Sequence, residues 1–460
     1  MPRIILPNFR TDYSERVREW SGFVKGTKSG SDTSARFLWH AEEGDVIVIP
    51  DGIDPGFKRY VGGIAAFAPE SVHVLTIDRP LDEGTLQDDG FAADLRAFVK
   101  EPVEWSLFPC VVTRGAAELA ARLGFDALPG SDFARQSGID MLNMKSTFRR
   151  LAAGIGTPIA DGVVARGAGE IQRAVMSLSK QTRMMIAKQD RSGGGHGNIG
   201  LADSPSALLP GTRETRLFGA DLEKLAERLW SDLSDAYNQL VVVEAYHSAD
   251  HRFYLEFHVG DDGVKFLNSG MLRYALPPDA IGGSPKWVGL DLPLRLGSRS
   301  STEVTIRAHE FLDLVRRIGY RGYINIDGLL LSDGRLVFHE INARWGGSLV
   351  YHIVAERLLG RNYADSHVVS SVLNIRPGPL SGLLEDIGRA GIEYRADKRE
   401  GVVVLSCDSD LGPGAECLIL AASEERVRKL EADLYECTEQ AVPEPPAHRA
   451  APEEVIAMGI

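Results

Sequence analysis

Asn325-Ile326-Asp327 and His339-Glu340-Ile341-Asn342-Ala343-Arg344 lie in two strand-like runs, Tyr323 to Leu331 and Arg335 to Ile341, joined by Ser332-Asp333-Gly334. In a strand, residues two apart project to the same face, so Asn325 goes with Asp327, and Glu340 with Asn342 and Arg344. As hairpin neighbours, the two runs would bring two carboxylates and two carboxamides together beside a guanidinium. Hard oxygen ligands of this kind suit Mg²⁺, which is typically held by one or two carboxylates plus the phosphates of a nucleotide. Asp327, Glu340 and Asn342 are therefore the candidate metal ligands. A hairpin with one solvated polar face could carry the same residues. Against that, Leu329, Leu330, Leu331, Val337, Phe338 and Ile341 surround them, and buried charges need a partner such as a metal. His339-Glu340 is no zinc-protease HExxH, because position 343 is Ala.

Working outward, Ile186-Ala187-Lys188 precedes Ser192-Gly193-Gly194-Gly195-His196-Gly197-Asn198-Ile199-Gly200. Glycines at this density let backbone N–H groups approach a polyphosphate, and Lys188 at the preceding strand end adds a point charge. The run formally matches GxGxxG from Gly195 to Gly200, but that fingerprint requires a helix directly after it, and Leu201-Ala202-Asp203-Ser204-Pro205 offers none. A flexible linker is the competing reading. The run Val241-Val242-Val243-Glu244-Ala245-Tyr246 is an apolar strand ending in a carboxylate. A base could pair with its backbone at 244 to 246 while Glu244 accepts from the base's amino group, although most such strands are plain core.

The chain has 460 residues and a net charge of −13, which gives no overall electrostatic drive toward nucleic acid or an anionic lipid surface. Cys110, Cys407, Cys417 and Cys437 form no CxxC pair, so neither a disulfide framework nor a structural zinc site is signalled. No run of ~18 apolar residues occurs, and the start is too short for a secretory segment, so no membrane partner and a cytoplasmic location are expected. Short β-runs at Arg3 to Leu6, Asp45 to Ile49, Val72 to Ile77 and Cys110 to Thr113 alternate with helical patterns, which implies an α/β domain over residues 1–137. Residues 138–243, carrying the glycine-rich loop, and 244–365, carrying the metal site, read as two α+β units. A small C-terminal α/β module and tail fill 366–460. Ser21 to Ser34 reads as a mobile loop without an assigned role. Ser284 to Thr302 reads as a long connection and a candidate lid, and the Pro-rich stretch from Val442 reads as loosely ordered.

In this order and spacing, the three motifs resemble the ATP-grasp superfamily of carboxylate–amine ligases over roughly Gly138 to Leu359, with the first domain in the place of the pre-ATP-grasp domain. The resemblance implies ATP-grasp architecture and ATP with Mg²⁺ as cofactors. It implies Lys145 and Lys188 as nucleotide lysines, Gly193, Gly194, Gly195, His196 and Gly197 as the phosphate loop, and Glu244, Ala245 and Tyr246 as the adenine hinge. Asp327, Glu340 and Asn342 stand where the metal ligands are expected. Arg344 is similar to the arginine that holds an acyl phosphate or an acceptor carboxylate. Where many members place a ribose-binding Glu, this chain has Asp250-His251, so His251 is the candidate and Asp250 its rival. The Glu340 to Gly347 run and the C-terminal module are most similar to the pheganomycin-type peptide ligases.

The activity so implied is amide-bond formation through an acyl phosphate, with release of ADP and phosphate. The partners are a small-molecule carboxylate and an amine or peptide, with antibiotic biosynthesis as the setting. Lys188, Arg344 and Arg273 are the candidate catalytic residues. Closure over the intermediate is expected from the glycine loop and the Ser284 to Thr302 segment. An ATP-dependent carboxylase or phosphotransferase and a non-catalytic nucleotide-binding scaffold remain as alternatives. A homodimer is the default oligomer.

Overall fold

The computed structural model describes residues 1–9, 33–50, 52–193, 195–205, 207–219, 221–276, 285–375, 378–407 and 414–443. Most of the segment read as a mobile loop from Ser21 to Ser34, and the tail from residue 444, lie outside these. Among the described residues, three sheets carry the fold. The first is four parallel strands, β1 (Arg3–Leu6), β2 (Val46–Pro50), β3 (His73–Ile77) and β4 (Ser106–Pro109), in the order β3-β2-β1-β4. Parallel strands need crossovers, and the alternating helical patterns supply them. The Arg114–Leu123 helix begins where Thr113 accepts the Ala116 N–H and ends at Gly124 in the left-handed region.

The expected strand at Cys110 to Thr113 instead lies at Ser106–Pro109. Cys110 and Val111 are apolar because they are buried beyond the strand end. There Asn8 replaces a pairing strand: its Nδ2 donates to Val111 O at 2.8 Å and its Oδ1 accepts the Val111 N–H at 3.0 Å.

The second sheet has β5 (Gly162–Ala165), β6 (Met184–Gln189), β7 (Asn198–Ala202), β8 (Glu214–Leu217) and β9 (Val241–Ala245), ordered β5-β9-β6-β7-β8. The Ala168–Leu178 and Leu222–Leu233 helices cover one face, with Ile171, Val175, Leu229 and Leu233 against Met185, Ile199 and Val243. β6 and β7 pair antiparallel, with Lys188 opposite Asn198. The glycine-rich stretch is thus the tip of a hairpin between two strands, of which β7 was hidden by its glycine content.

The third sheet has eight antiparallel strands: β10 (His251–Val259), β11 (Val264–Ala275), β12 (Lys286–Leu292), β13 (Gly322–Leu330), β14 (Leu336–Asn342), β15 (Val368–Ile375), β16 (Gly401–Ser406) and β17 (Ala415–Ala421). Their order is β14-β13-β10-β11-β12-β15-β17-β16. Two expectations change here. Much of Ser284 to Thr302 is not a loose connection: β12 pairs with β11 and β15, and a helix occupies Ser298–Arg317. Gly289 is a strand glycine at φ +150°, and a Cβ there would lie 2.2 Å from Ser371 O. The C-terminal strands also build no sheet of their own, because β15, β17 and β16 extend the sheet that holds the 325–342 hairpin. One core runs through this region, joining Trp39 and Phe57 to Phe253, Phe311, Val403 and Leu418.

Candidate active site

β13 and β14 pair with Asp327 opposite Glu340 and Asn325 opposite Asn342, so the register brings the expected oxygen groups together. Asn342 Nδ2 donates to Asp327 Oδ2 at 3.2 Å, and Lys145 Nζ lies 3.2 Å from Glu340 Oε2. Burial and the facing Glu340 push the Asp327 carboxyl well above the usual range. Burial also opposes ionisation of Glu340, but Lys145, His339 and Lys188 outweigh it and hold its pKa low. The pair thus favours one proton and one negative charge, and a divalent cation would replace that proton. Among the described residues no group of three or more His, Cys, Asp or Glu side chains is gathered for a metal. Two carboxylates and a carboxamide fit Mg²⁺, which completes its shell with phosphate oxygens and water.

Lys145 starts the Lys145–Ile155 helix. The helix is tied to the end of β6: Lys145 N–H donates to Asp190 O at 3.0 Å, and Ser146 N–H donates to Asp190 Oδ1 at 2.7 Å. A carboxylate at a helix N-terminus satisfies otherwise orphan N–H groups. Its consequence here is that Lys145 Nζ reaches Ser192 O at 2.6 Å as well as Glu340.

Lys188 and Arg149 both close on Glu244, at 2.5 Å to Oε2 and 2.5 Å to Oε1. Burial alone would raise the Glu244 pKa, but the two cations hold it below the usual carboxylate range. Glu244 is thus committed to an ion triad rather than open to a base. The neighbouring backbone donors are also engaged, since Ala245 N–H donates to Asp161 O at 2.8 Å and Tyr246 N–H to Met184 O at 2.9 Å. His247 is the next residue on the cavity wall, and its backbone N–H has no partner among the described residues.

Of these groups, Asp327, Glu340, Asn342, Lys188 and Glu244 border a cavity of about 810 Å³, whereas Lys145 and Arg149 are not part of its lining. One end is walled by Ile186, Lys188, Tyr246, His247, Leu329 and Val337, the other by Phe9, Arg36, Phe37, Trp345 and Ser348. Of the glycine loop, Gly195 and His196 line it, Gly193 lines a smaller cavity beside it, and Gly197 lines neither. Gly194 lies outside the described residues. Gly195 is needed by the chain itself, at φ +76° with its would-be Cβ 2.8 Å from Gly211 O. Burial and Lys286 lower the His196 pKa, favouring a neutral ring.

Arg344 borders both cavities, and its Nη2 donates to Asn342 Oδ1 at 3.0 Å. Two expected residues are elsewhere. Arg273 is absent from the cavity wall; its Nη1 donates to Ser370 Oγ at 2.7 Å and its Nη2 pairs with Glu431 on the Glu424–Cys437 helix. His251 points to the Met271 sulfur, 3.4 Å from its Nδ1, and neither it nor Asp250 lines the cavity. Strand alternation puts Arg252 there instead.

Sequence reasoning missed the support under the Trp345-Gly346-Gly347-Ser348 loop. Glu256, fully buried, accepts from Gly346 N–H at 2.7 Å, Ser348 Oγ at 2.7 Å and Asn268 Nδ2 at 2.9 Å. A Cβ at Gly346 would come within 2.6 Å of that carboxylate. The signal was one Glu inside Phe253-Tyr254-Leu255-Glu256-Phe257. Arg36 had no signal: its Nη2 donates to Gly347 O at 2.6 Å and its Nη1 lies 3.1 Å from Glu416, contacts made by chain distance alone.

Residues 34–125 match the Pre ATP-grasp domain family. No curated protein sequence matches the chain. Among solved structures it is similar to N5-carboxyaminoimidazole synthetase from Staphylococcus aureus complexed with ADP, at 13% identity over 95% of this chain and 97% of that one, TM-score 0.54. A biotin carboxylase–β,γ-ATP complex from Campylobacter jejuni is similar at 11% identity over 92% and 88%, TM-score 0.55. L-amino acid ligase from Bacillus licheniformis is similar at 13% identity over 94% and 96%, TM-score 0.52. At such identities the likeness is one of fold, and together with the match over residues 34–125 it agrees with the mixed α/β multidomain architecture expected from the motifs. Among the described residues no helix is long and apolar enough to cross a membrane.

Proposed function

We propose that this protein is an ATP-dependent carboxylate–amine ligase. The observation that carries the reading is the pairing of Asp327 with Glu340, which Lys145 contacts, in one cavity with Asn342, Lys188 and Arg344. Asp327, Glu340 and Asn342 would hold Mg²⁺, which when bound supplies charge neutralisation for the nucleotide phosphates. A carboxylate oxygen of the acid attacks the γ-phosphorus of ATP, the bond to the β-phosphate oxygen breaks, and ADP leaves. The amine then attacks the acyl carbon, the C–N bond forms, and phosphate departs with the electron pair of the broken C–O bond and takes up the proton that the amine nitrogen loses.

Lys145 and Lys188 orient the phosphates by charge, and Arg344 holds oxygens of the acyl phosphate. The aromatic end of the cavity, with Phe9, Phe37 and Trp345, takes the apolar part of a substrate. In the narrower form of the proposal, the acid is amino-acid-like and the amine is a peptide N-terminus, as in the pheganomycin-type peptide ligases that the Glu340 to Gly347 run resembles.

Mass spectrometry of products from ATP, Mg²⁺ and a panel of amino acids and short peptides tests this. Amine-dependent ADP with a condensed product is expected. AMP with pyrophosphate would overturn it. Carboxylation is the second reading, favoured by the similarity in fold to a biotin carboxylase; bicarbonate-dependent, amine-independent ADP release would select it.

A further inference from the structure

A smaller cavity of about 40 Å³ lies beside the main one, between the Gly138–Leu142 helix and the base of the glycine-rich hairpin. Its wall is Asp140, Asn143, Arg191, Ser192 and Gly193, with Asn342 and Arg344 shared with the main cavity. Three buried polar atoms of that wall have no hydrogen-bond partner among the described residues: Asn143 Nδ2, Arg191 Nε and Ser192 Oγ. Asn143 cannot relieve its amide by turning over, because its Oδ1 already accepts the Ala343 N–H at 2.8 Å. The Arg191 guanidinium pairs with no carboxylate among the described residues; its side-chain contact is the Met144 sulfur at 3.7 Å.

Leaving buried donors unmet is unfavourable, so such atoms mark a site for something the chain does not supply. Water could satisfy the three atoms, but the wall also carries the Arg191 guanidinium, which has no carboxylate partner among the described residues, and the acid of the wall, Asp140, is exposed. An anion answers both needs. At roughly 10–15 Å³ per water, the space corresponds to about three waters, the size of a tetrahedral oxyanion. The orphan donors belong to separate elements, Arg191 and Ser192 to the hairpin and Asn143 to the turn before the Lys145–Ile155 helix.

We infer that this cavity is a phosphate site. Its role rests on the ligase reading: it receives the inorganic phosphate expelled when the amide forms, across the shared wall of Asn342 and Arg344. Arg191 thereby becomes a ligand-binding residue outside the nucleotide cleft.

Titration calorimetry of the full chain with inorganic phosphate tests the site directly. One phosphate per chain is expected, still bound in the presence of Mg²⁺ and a non-hydrolysable ATP analogue. Arg191→Met and Asn143→Asp should each weaken it at least tenfold, with unchanged circular dichroism melts; Asn143→Asp keeps the acceptor for Ala343 and replaces only the donor. Ser192→Ala should weaken it less. Absence of phosphate binding, displacement by the ATP analogue, or equal binding of acetate would each overturn the proposal. Should Arg191→Met melt lower, Asn143→Asp decides. Arg191-dependent phosphate binding without amine-dependent ADP release would retain the site and reject the ligase reading.

Discussion

Two acidic clusters, one buried and one half-buried, share the main cavity and are compensated in opposite ways. Glu244 meets two cations, Lys188 and Arg149. Asp327 and Glu340 face each other with one, Lys145. The first cluster has positive charge to spare and is complete without a ligand. The second relies on a proton held by Asp327 and on the nearby charge of Lys145. Placed side by side, they suit a polyanion and its cation respectively, although nothing in residue type alone separates Glu244 from Glu340.

The sharpest way to break this contrast is to truncate one acid from each cluster. Glu244→Ala strands Lys188 and Arg149 in the interior, and breaking a buried ion group in this way costs about 3–5 kcal/mol; chemical denaturation should show a loss of that order. An unchanged unfolding midpoint would mean that the triad is a surface-like pair. Glu340→Gln should act chiefly on turnover, lowering amine-dependent ADP release by about 10²–10³-fold, the range for removing one preorganised electrostatic contact, with a smaller loss of stability than Glu244→Ala, because Asp327 can ionise and take over the Lys145 charge once the facing carboxylate is gone. Turnover at the wild-type rate would remove the metal assignment.

Arg273→Met probes a basic residue placed away from both clusters. Its hydrogen bonds to charged and polar partners suggest a loss of about 1.5–3 kcal/mol in stability, with KM for ATP unchanged. A raised KM would return Arg273 to the active site.

The smallest effect concerns His40, whose two ring nitrogens have no partner among the described residues and whose ring stacks on Trp345 at 4.8 Å. Burial, then Arg3, Arg36 and Arg357, hold its pKa well below the usual value. The unfolded chain therefore binds the proton first. Stability is full above about pH 6.5, the unperturbed value for His, and declines as pH falls below it. His40→Phe should flatten that decline in melts taken from pH 7.5 downward. An unaltered slope would assign the acid sensitivity to other groups.

Legibility in the sequence followed the range of the interactions. The 323–341 hairpin, the helix at Lys145 and the strand through Lys188 were readable, because alternation, turn residues and a helix N-terminus are encoded within a few neighbours. The strand β12 was not readable, since its Gly289 serves a close approach to Ser371 that lies far along the chain. Arg273 was misjudged for the same reason: a hairpin arginine looks alike whether it faces a ligand or Glu431. His251 failed by one position, because period-two alternation turns one step into the opposite face.

By itself, the sequence determined which residues could carry the chemistry: two acids and two amides at strand spacing, a lysine before a glycine-rich hairpin, and an Asn-Ala-Arg end. Only the tertiary structure decided how each charge is answered, with Glu244 neutralised by Lys188 and Arg149, Glu340 left open beside Asp327, and Arg36 joined to Gly347. The reason is physical: side-chain type and periodicity are local, while the energy of a buried charge depends on every group within a few ångströms, whatever its distance along the chain.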